Sequence, residues 1–479
     1  MPDFERRSSK PGTGFKKPGG KTSGRGGNGN RGLAPRRIAL ETILDFERSD
    51  AYVAIALDRR LSSVRLSQRD RAFVTRLVYG TVENRIRLDW LIDACLTGDQ
   101  RLDLTLRCIL RMGCYQLTMM SRVPDMAAVN ESVSLTRAMG MEAYTGLTNA
   151  VLRRMIRDSG KTVWPDPVND PVRHLSVTRS CPEELCKLLI ESVGVHETME
   201  LLSYRPDDRW NSIRVNLERC SAGQLERLLL EEGLRWERGI LPGMYRVFGG
   251  GDLTALRGYA NGLFTIQGES SVLAARMVGA KPGQIVLDAC AAPGGKSAVL
   301  AEEMLGSGRV YAWDKHPHRV NLIKALAERL HIENIRPMAR DASVSRPEMN
   351  ETLDAALVDA PCSGSGVLYE KPDLKYRITG EGVEELAAVQ KSILEAVAPM
   401  VRPGGVLVYS TCSVLQAENE EQMKRFLLRH PEYRVLPLGK ELPERLQPFE
   451  GVFGITLLPH RDQTEGFYIC RMIKNGKAA

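Results

Sequence analysis

Residues 284–297 read QIVLDACAAPGGKS. An apolar run ends in Asp288, passes through small residues and two glycines, and enters a helical stretch. A strand, a loop that backbone or ligand can approach closely, and a helix N-terminus follow one another here. Outward from this segment, strands are expected at RVYAWD (309–314), IRPMAR (335–340), LDAALVD (353–359) and GVLVYST (405–411). Helical periods such as HRVNLIKALAERL and GVEELAAVQKSILEAVAPMV fall between them. Near-continuous apolar strands joined by helices imply a doubly wound, Rossmann-like α/β domain over 266–477, with both sheet faces covered. In such a sheet, ligands sit at the carboxyl ends of the strands.

The loop after Asp288 is not a P-loop. That motif needs glycine five residues before Gly295-Lys296-Ser297, where Cys290 stands, and Pro293 interrupts the run. The G-x-G-x-x-G dinucleotide fingerprint is also missing. Acids close successive strands instead: Asp288, then Asp314, Asp341 and Asp359. Taken singly, each suits a helix cap or a loop. In order at strand tips they describe a pocket. An acid after the second strand can accept from both hydroxyls of a ribose, and a row of acids repels a metal-free triphosphate. S-adenosylmethionine meets these terms, with its ribose, adenine and sulfonium cation.

Ten cysteines are present, none spaced C-x-x-C, so no metal site is expected. Most should be small buried hydrophobes. Cys362 and Cys412 are set apart because both follow strand ends, in DAPCSGSG (359–366) and STCS (410–413). Pro361 and the neighbouring glycines favour a tight exposed loop. A methyltransferase needs a thiol when its target is carbon 5 of cytosine, a poor nucleophile. Thiolate addition at carbon 6 makes carbon 5 enamine-like and splits one hard step into two. An acid at the pyrimidine N3/N4 edge can assist, which suits Asp359. Oxygen or exocyclic nitrogen acceptors need no such nucleophile. The residues alone do not say which cysteine attacks.

From Leu33 to about residue 165 the periodicity is helical, and DSGKTVWPDPVND (158–170) reads as a linker. Residues 171–265 mix helix with short strands and read as a small α+β module. Residues 1–32 are Gly-rich and poor in apolar groups, a composition that cannot bury a core. Ten Lys/Arg against two acids in 1–37 give +8, leaving about −1 for the rest of a chain whose net charge is +7. A basic arm of this kind suits salt-sensitive contact with nucleic-acid phosphate, or simply solubility. No signal peptide or membrane span is read, so a cytoplasmic location is expected.

DACAAPGGKS, DAPCSGSG and STCS in combination resemble the bacterial Nop/Sun (Fmu) family of RNA 5-methylcytosine methyltransferases. VPDMAAVNESVSLTRAMG (123–140) with TGLTNAVLRRM (145–155) resembles the NusB family, a helical fold that binds RNA and proteins. Together they resemble the RsmB type, which methylates 16S ribosomal RNA. The resemblance implies a cofactor site of Cys290, Ala291, Ala292, Pro293, Gly294, Gly295, Lys296, Asp314, Asp341 and Asp359. It makes Cys412 the nucleophile and Cys362 an assistant in product release. It further implies S-adenosylmethionine as cofactor, 16S ribosomal RNA as partner, no metal, no membrane, and a monomer. The alternatives are a transfer-RNA cytosine-5 methyltransferase, or a NusB-like RNA-binding factor with an inert methyltransferase half.

Overall fold

Apolar side chains at three- and four-residue spacing build seven α-helices between Leu33 and Arg157 (Leu33–Arg48, Val53–Ser62, Gln68–Glu83, Arg85–Asp93, Leu104–Met119, Asp125–Ala138 and Thr145–Arg157). Their inward stripes close on one core that includes Leu40, Leu77, Leu88, Ile109 and Leu152. Ser67 and Asp103 cap their helices by accepting from backbone N–H groups. Inside the bundle, Arg111 donates to both carboxylate oxygens of Asp89 (2.8 and 2.7 Å) and to Glu47 (2.8 Å). The computed structural model describes residues 32–49, 51–98, 101–206, 210–249 and 251–476. Residues 1–31 of the basic segment lie outside the described residues.

Residues 171–265 divide into two bodies. Helices Pro171–Arg179 and Glu183–Ser203, the second kinked at Gly194 (φ 83°), lay Leu175, Leu185 and Leu189 against Leu368, Ile378, Val414 and Leu415 of the C-terminal part. The segment after them has its own core. Strands β1 (Trp210–Val215), β2 (Arg235–Arg238), β3 (Met244–Phe248) and β4 (Phe264–Ile266) form an antiparallel sheet in the order β2-β3-β1-β4. Leu225 and Leu229 of helix Ala222–Glu231 share that core with Ile213, Val247 and Phe264. Periodicity shows that a helix has an apolar face, but not which element covers it.

The C-terminal sheet contains β5 (Ile285–Asp288), β6 (Arg309–Asp314), β7 (Ile335–Ala339), β8 (Leu353–Asp359), β9 (Val401–Thr411), β10 (Tyr433–Val435), β11 (Glu450–Gly451), β12 (Gly454–Leu457) and β13 (Phe467–Lys474). The order is β11-β12-β13-β9-β8-β5-β6-β7, with β10 paired to β13. β5 to β9 are parallel to their neighbours within this group, and β13 runs antiparallel to β9. β9 starts four residues before the expected Gly405. Pro403 and Gly404 fit there because pairing slips between Leu353–Val401 and Ala355–Val406. Strand order reverses at β5, with β6 and β7 on one side and β8 and β9 on the other. That switch point is where a doubly wound sheet opens a crevice. Among the described residues, no helix is long and apolar enough to cross a membrane.

A strap from Leu368 to Ile378 runs from the Cys362 loop back to the helical domain. The Tyr376 hydroxyl lies 2.9 Å from Val82 O, 3.2 Å from Glu83 O and 3.0 Å from Ser180 Oγ. Lys375 Nζ donates to Glu83 O (2.7 Å), and Asp373 Oδ2 accepts from Val53 N–H (3.0 Å). Burial pulls the Lys375 ammonium down to about 8. Tyr376→Phe keeps the ring under Arg85 but removes the hydroxyl. It should cost about 1–3 kcal/mol in urea unfolding. An unchanged midpoint would mean that this hydroxyl does not hold the interface.

Candidate functional site

At the carboxyl ends of β5 to β9 opens a cleft of about 510 Å³, inside the roughly 300–1,000 Å³ range of ligand pockets. Seven of the expected residues line it: Cys290, Ala292, Asp314, Asp341, Asp359, Cys362 and Cys412. The others shape it from behind. The Ala291 N–H donates to Trp313 O (2.7 Å), tying the loop to β6. Pro293 is exposed, and Gly295 begins the helix Gly295–Glu303. Gly294 has φ +112°, and a Cβ there would meet Leu326 and Ile323 at 3.2–3.3 Å. Only glycine takes that position without strain.

Asp288 departs from the expected row of acids. It is fully buried and accepts from Ser297 Oγ (2.6 Å), so it braces the loop and does not line the cleft. Burial above all pushes its carboxyl up to about 7. The cause is topological: β5 is central, and its tip is roofed by the loop that follows. Asp314 accepts from the His316 N–H (3.0 Å) and pairs with Arg319 (3.1 Å). Asp341 accepts from Ser343 N–H and Oγ (3.0 and 2.6 Å) and pairs with Lys315 (3.0 Å). These bonds hold the Asp341 carboxyl down to about 2. Arg319 and Lys315 are 44% and 68% exposed, so either cation can swing away from its acid at little cost.

The two cysteines meet. Cys362 Sγ and Cys412 Sγ are 3.2 Å apart, both partly exposed in the cleft. The Cys362 thiol hydrogen bond, assisted by the Lys296 and Lys371 charges, holds the Cys412 thiol below its ordinary value despite burial and Asp359. Cys362 moves the opposite way, raised by its bond to Cys412 and by burial. The charges around the two sulfurs differ, Lys296 and Lys371 acting on Cys412 and Glu418 on Cys362, an arrangement that favours a thiolate at Cys412. Lys296 donates to Asp359 Oδ2 (2.7 Å), while Ser410 Oγ donates to Asp359 Oδ1 (2.8 Å). Burial pulls the Lys296 ammonium down, but the charge and hydrogen bond of Asp359 carry it above its ordinary value.

Several supporting residues were not legible in sequence. Buried Glu418 accepts from Ser363 N–H (2.8 Å), Ser363 Oγ (2.5 Å) and Gln390 Nε2 (3.1 Å). Asn419 accepts from Thr411 Oγ1 (2.6 Å) and donates to Ser413 O (2.9 Å). The Ser365 and Ser413 hydroxyls lie 2.9 Å apart, so the serines of both cysteine motifs stitch the two loops together. Gly366 N–H donates to Cys412 O (3.0 Å), and a Cβ on Gly366 would lie 2.1 Å from Gly466 O. Val389 and Ile393, on helix Gly380–Val397, supply an apolar wall of the cleft. They look like any helix face in sequence. Arg340 and His316 also line it; standing beside strand-tip acids was their one available signal.

Residues 275–473 match the family model described as 16S rRNA methyltransferase RsmB/F, and residues 33–157 match the NusB family. The probable ribosomal RNA small subunit methyltransferase B of Bacillus subtilis (strain 168) is 37% identical over 443 residues, covering 92% of this chain and 99% of that protein. The chain belongs to this family. A protein of the same description from Synechocystis sp. is 34% identical over 452 residues, covering 92% of this chain and 100% of its own length. The crystal structure of PH0851 matches with a TM-score of 0.74 at 26% identity, covering 92% of this chain and 99% of that one. As an RsmB/F member, the protein is an S-adenosylmethionine-dependent ribosomal RNA methyltransferase with a NusB-like helical domain.

The Lys296 charge can be tested without turnover. In Lys296→Met one of the two cations favouring the Cys412 thiolate is gone and Asp359 loses its ion-pair partner, so both changes raise the thiol. The midpoint of Cys412 alkylation by iodoacetamide, followed by peptide mass spectrometry against pH, should move to higher pH. An unchanged or lower midpoint contradicts this assignment.

Proposed function

We propose that this RsmB/F protein methylates carbon 5 of a cytosine in 16S ribosomal RNA, with Cys412 bonded transiently to carbon 6. The observation that carries the reading is the Cys412 thiol, held low beside Cys362 and the Lys296–Asp359 pair, at the mouth of a cleft rich in carboxylates. Methylation of an oxygen or an exocyclic nitrogen would leave both thiols without work.

S-adenosylmethionine, when bound, supplies a methyl group on a sulfonium cation. The site suits that group: its acids can accept from a ribose and offset the positive charge, and its loop of small residues admits close approach. Cys290 to Lys296, with Asp314, Asp341 and Asp359, would hold it. The Cys412 thiolate adds to carbon 6 as N3 takes a proton from water. The Asp359 carboxylate accepts a hydrogen bond at the N3/N4 edge of the ring, steadying the electron density that moves toward carbon 5; the N3 proton returns to water on elimination. Carbon 5 is then nucleophilic enough to take the methyl group that the bound sulfonium would supply. The carbon-5 proton leaves to water, and the carbon 6–sulfur electron pair returns to Cys412. Cys362, kept neutral at 3.2 Å, can give its proton to the departing sulfur.

The NusB match and the names of the relatives favour ribosomal over transfer RNA. An inert methyltransferase half is disfavoured because both cysteines, Lys296 and all three cleft acids are in place.

Cys412→Ala should abolish methyl incorporation yet keep its thermal stabilisation by S-adenosylmethionine, worth about 2.7 kcal/mol at a hundredfold excess over Kd. Cys362→Ala should accumulate a covalent protein–RNA adduct, seen as a retarded band on denaturing gels. Adduct in the Cys412 variant, with activity retained, would reverse the two roles.

A further inference from the structure

A second cleft, of about 370 Å³, opens where β1 and β4 meet the C-terminal domain. It shares no lining residue with the cofactor cleft. Its walls are aromatic and acidic, with Trp210, Tyr369, Glu370 and Glu465 around the backbone of Gly268. The Tyr204 ring stands edge-on to Tyr369 at 5.3 Å and braces it. Glu370 accepts from the Tyr369 hydroxyl (2.8 Å), and Glu465 accepts from Ser270 N–H and Oγ (3.2 and 2.6 Å). Among the described residues neither carboxylate has an ion-pair partner. The cleft is also close to the chemistry: Glu465 adjoins Gly466, which donates to Gly366 O, and Gly366 donates to Cys412 O (3.0 Å each).

Flat aromatic faces beside unpaired carboxylate acceptors recognise a stacked base whose exocyclic amino group needs an acceptor. Glu370 also edges a third cleft, of about 750 Å³, along helix Gln68–Glu83. That groove carries Arg71, Arg76 and Tyr79. Arg71 and Arg76 are exposed and, among the described residues, their side chains donate only to backbone carbonyls, of Leu61 (3.1 Å) and Met119 (3.4 Å), so their charge is available to phosphate. The groove also holds Glu83, which is paired with Arg205, and Glu370 at its edge; a base-sized aromatic cleft running into a groove with two exposed arginines is the layout of a single-stranded track.

We propose that single-stranded RNA flanking the target cytosine lies across Glu370. One base bearing an exocyclic amino group enters the Trp210–Tyr369 cleft and donates to Glu370, since Glu465 already accepts twice from Ser270. The adjoining backbone follows Arg71 and Arg76 along the helical domain. This rests on RNA being the substrate and adds where, and by what chemistry, its flank is read.

The test is fluorescence anisotropy of the full chain, without cofactor, against short oligo-adenylate, oligo-cytidylate and oligo-uridylate. Adenylate and cytidylate should bind at least about fivefold tighter than uridylate, which has no exocyclic amine. Glu370→Ala should bring the three within about twofold, and Tyr369→Ala should weaken all of them by about tenfold. Arg71→Ala and Arg76→Ala should weaken all three alike and flatten the salt dependence. Equal binding of uridylate by the unaltered protein, or a base preference that survives Glu370→Ala, overturns the proposal. Glu370 is exposed, so its variant carries the test even if Tyr369→Ala does not fold. No arm requires methyl transfer. Carbon-5 methylation without base preference sinks this inference alone, whereas base preference without carbon-5 methylation sinks only the reaction proposed above.

Discussion

A thiolate in a partly enclosed cleft is costly unless a cation stands near it, and the fold provides Lys296, aided by Lys371. Lys296 is delivered by the first turn of the helix that follows β5, and it must also neutralise Asp359 at the tip of β8. One ammonium thus serves a carboxylate on one strand and a sulfur after another. The arrangement requires β5, β8 and β9 to be adjacent, which the doubly wound order ensures. Moving any of these strands by one position would separate the charge from the sulfur.

The pair of cysteine loops adds a second constraint. The Cys362 loop lies so close to its neighbours that a Cβ on Gly366 would stand 2.9 Å from Cys412 O and 2.1 Å from Gly466 O, just before β13. Hydrogen bonds from Ser363, Ser365 and Ser413 to Glu418 and to each other fix the loops where they meet. Each such bond contributes only about 1 kcal/mol net, but leaving buried Glu418 unpaired would cost considerably more. In the proposed reaction rigidity here is useful, because a sulfur must reach one face of a pyrimidine ring at bonding distance. The strap through Tyr376 extends this frame to the helical domain, so the half that resembles NusB and the reactive loop share one interface.

Much of this was legible in residue order, for physical reasons. Strands buried on both faces are continuous apolar runs, so RVYAWD and LDAALVD mark strands whose observed limits are those same residues. Loops that must be open and close-packed carry Pro and Gly, which made DAPCSGSG conspicuous. What stayed hidden depended on contacts between distant segments. Nothing local tells that Asp288 lies behind the cleft while the likewise buried Asp314 lines it, or that Pro171–Arg179 and Glu183–Ser203 pack on Val414 and Leu415 and not on β1 to β4. Val389 and Ile393 line the cleft because of where their helix lies. Glu418 reads as one acid in a charged run, although it is the buried anchor of the Cys362 loop.

The account turns on sulfur at position 412 bonding to carbon 6 of the target base. Ribosomal RNA containing 5-fluorocytidine offers the direct measurement, because a fluorine at carbon 5 cannot leave as the proton does. Incubated with S-adenosylmethionine, digested and sequenced by mass spectrometry, the protein should carry a methylated fluoropyrimidine on Cys412. The same adduct on Cys362, or methylated RNA with neither cysteine modified, would contradict it.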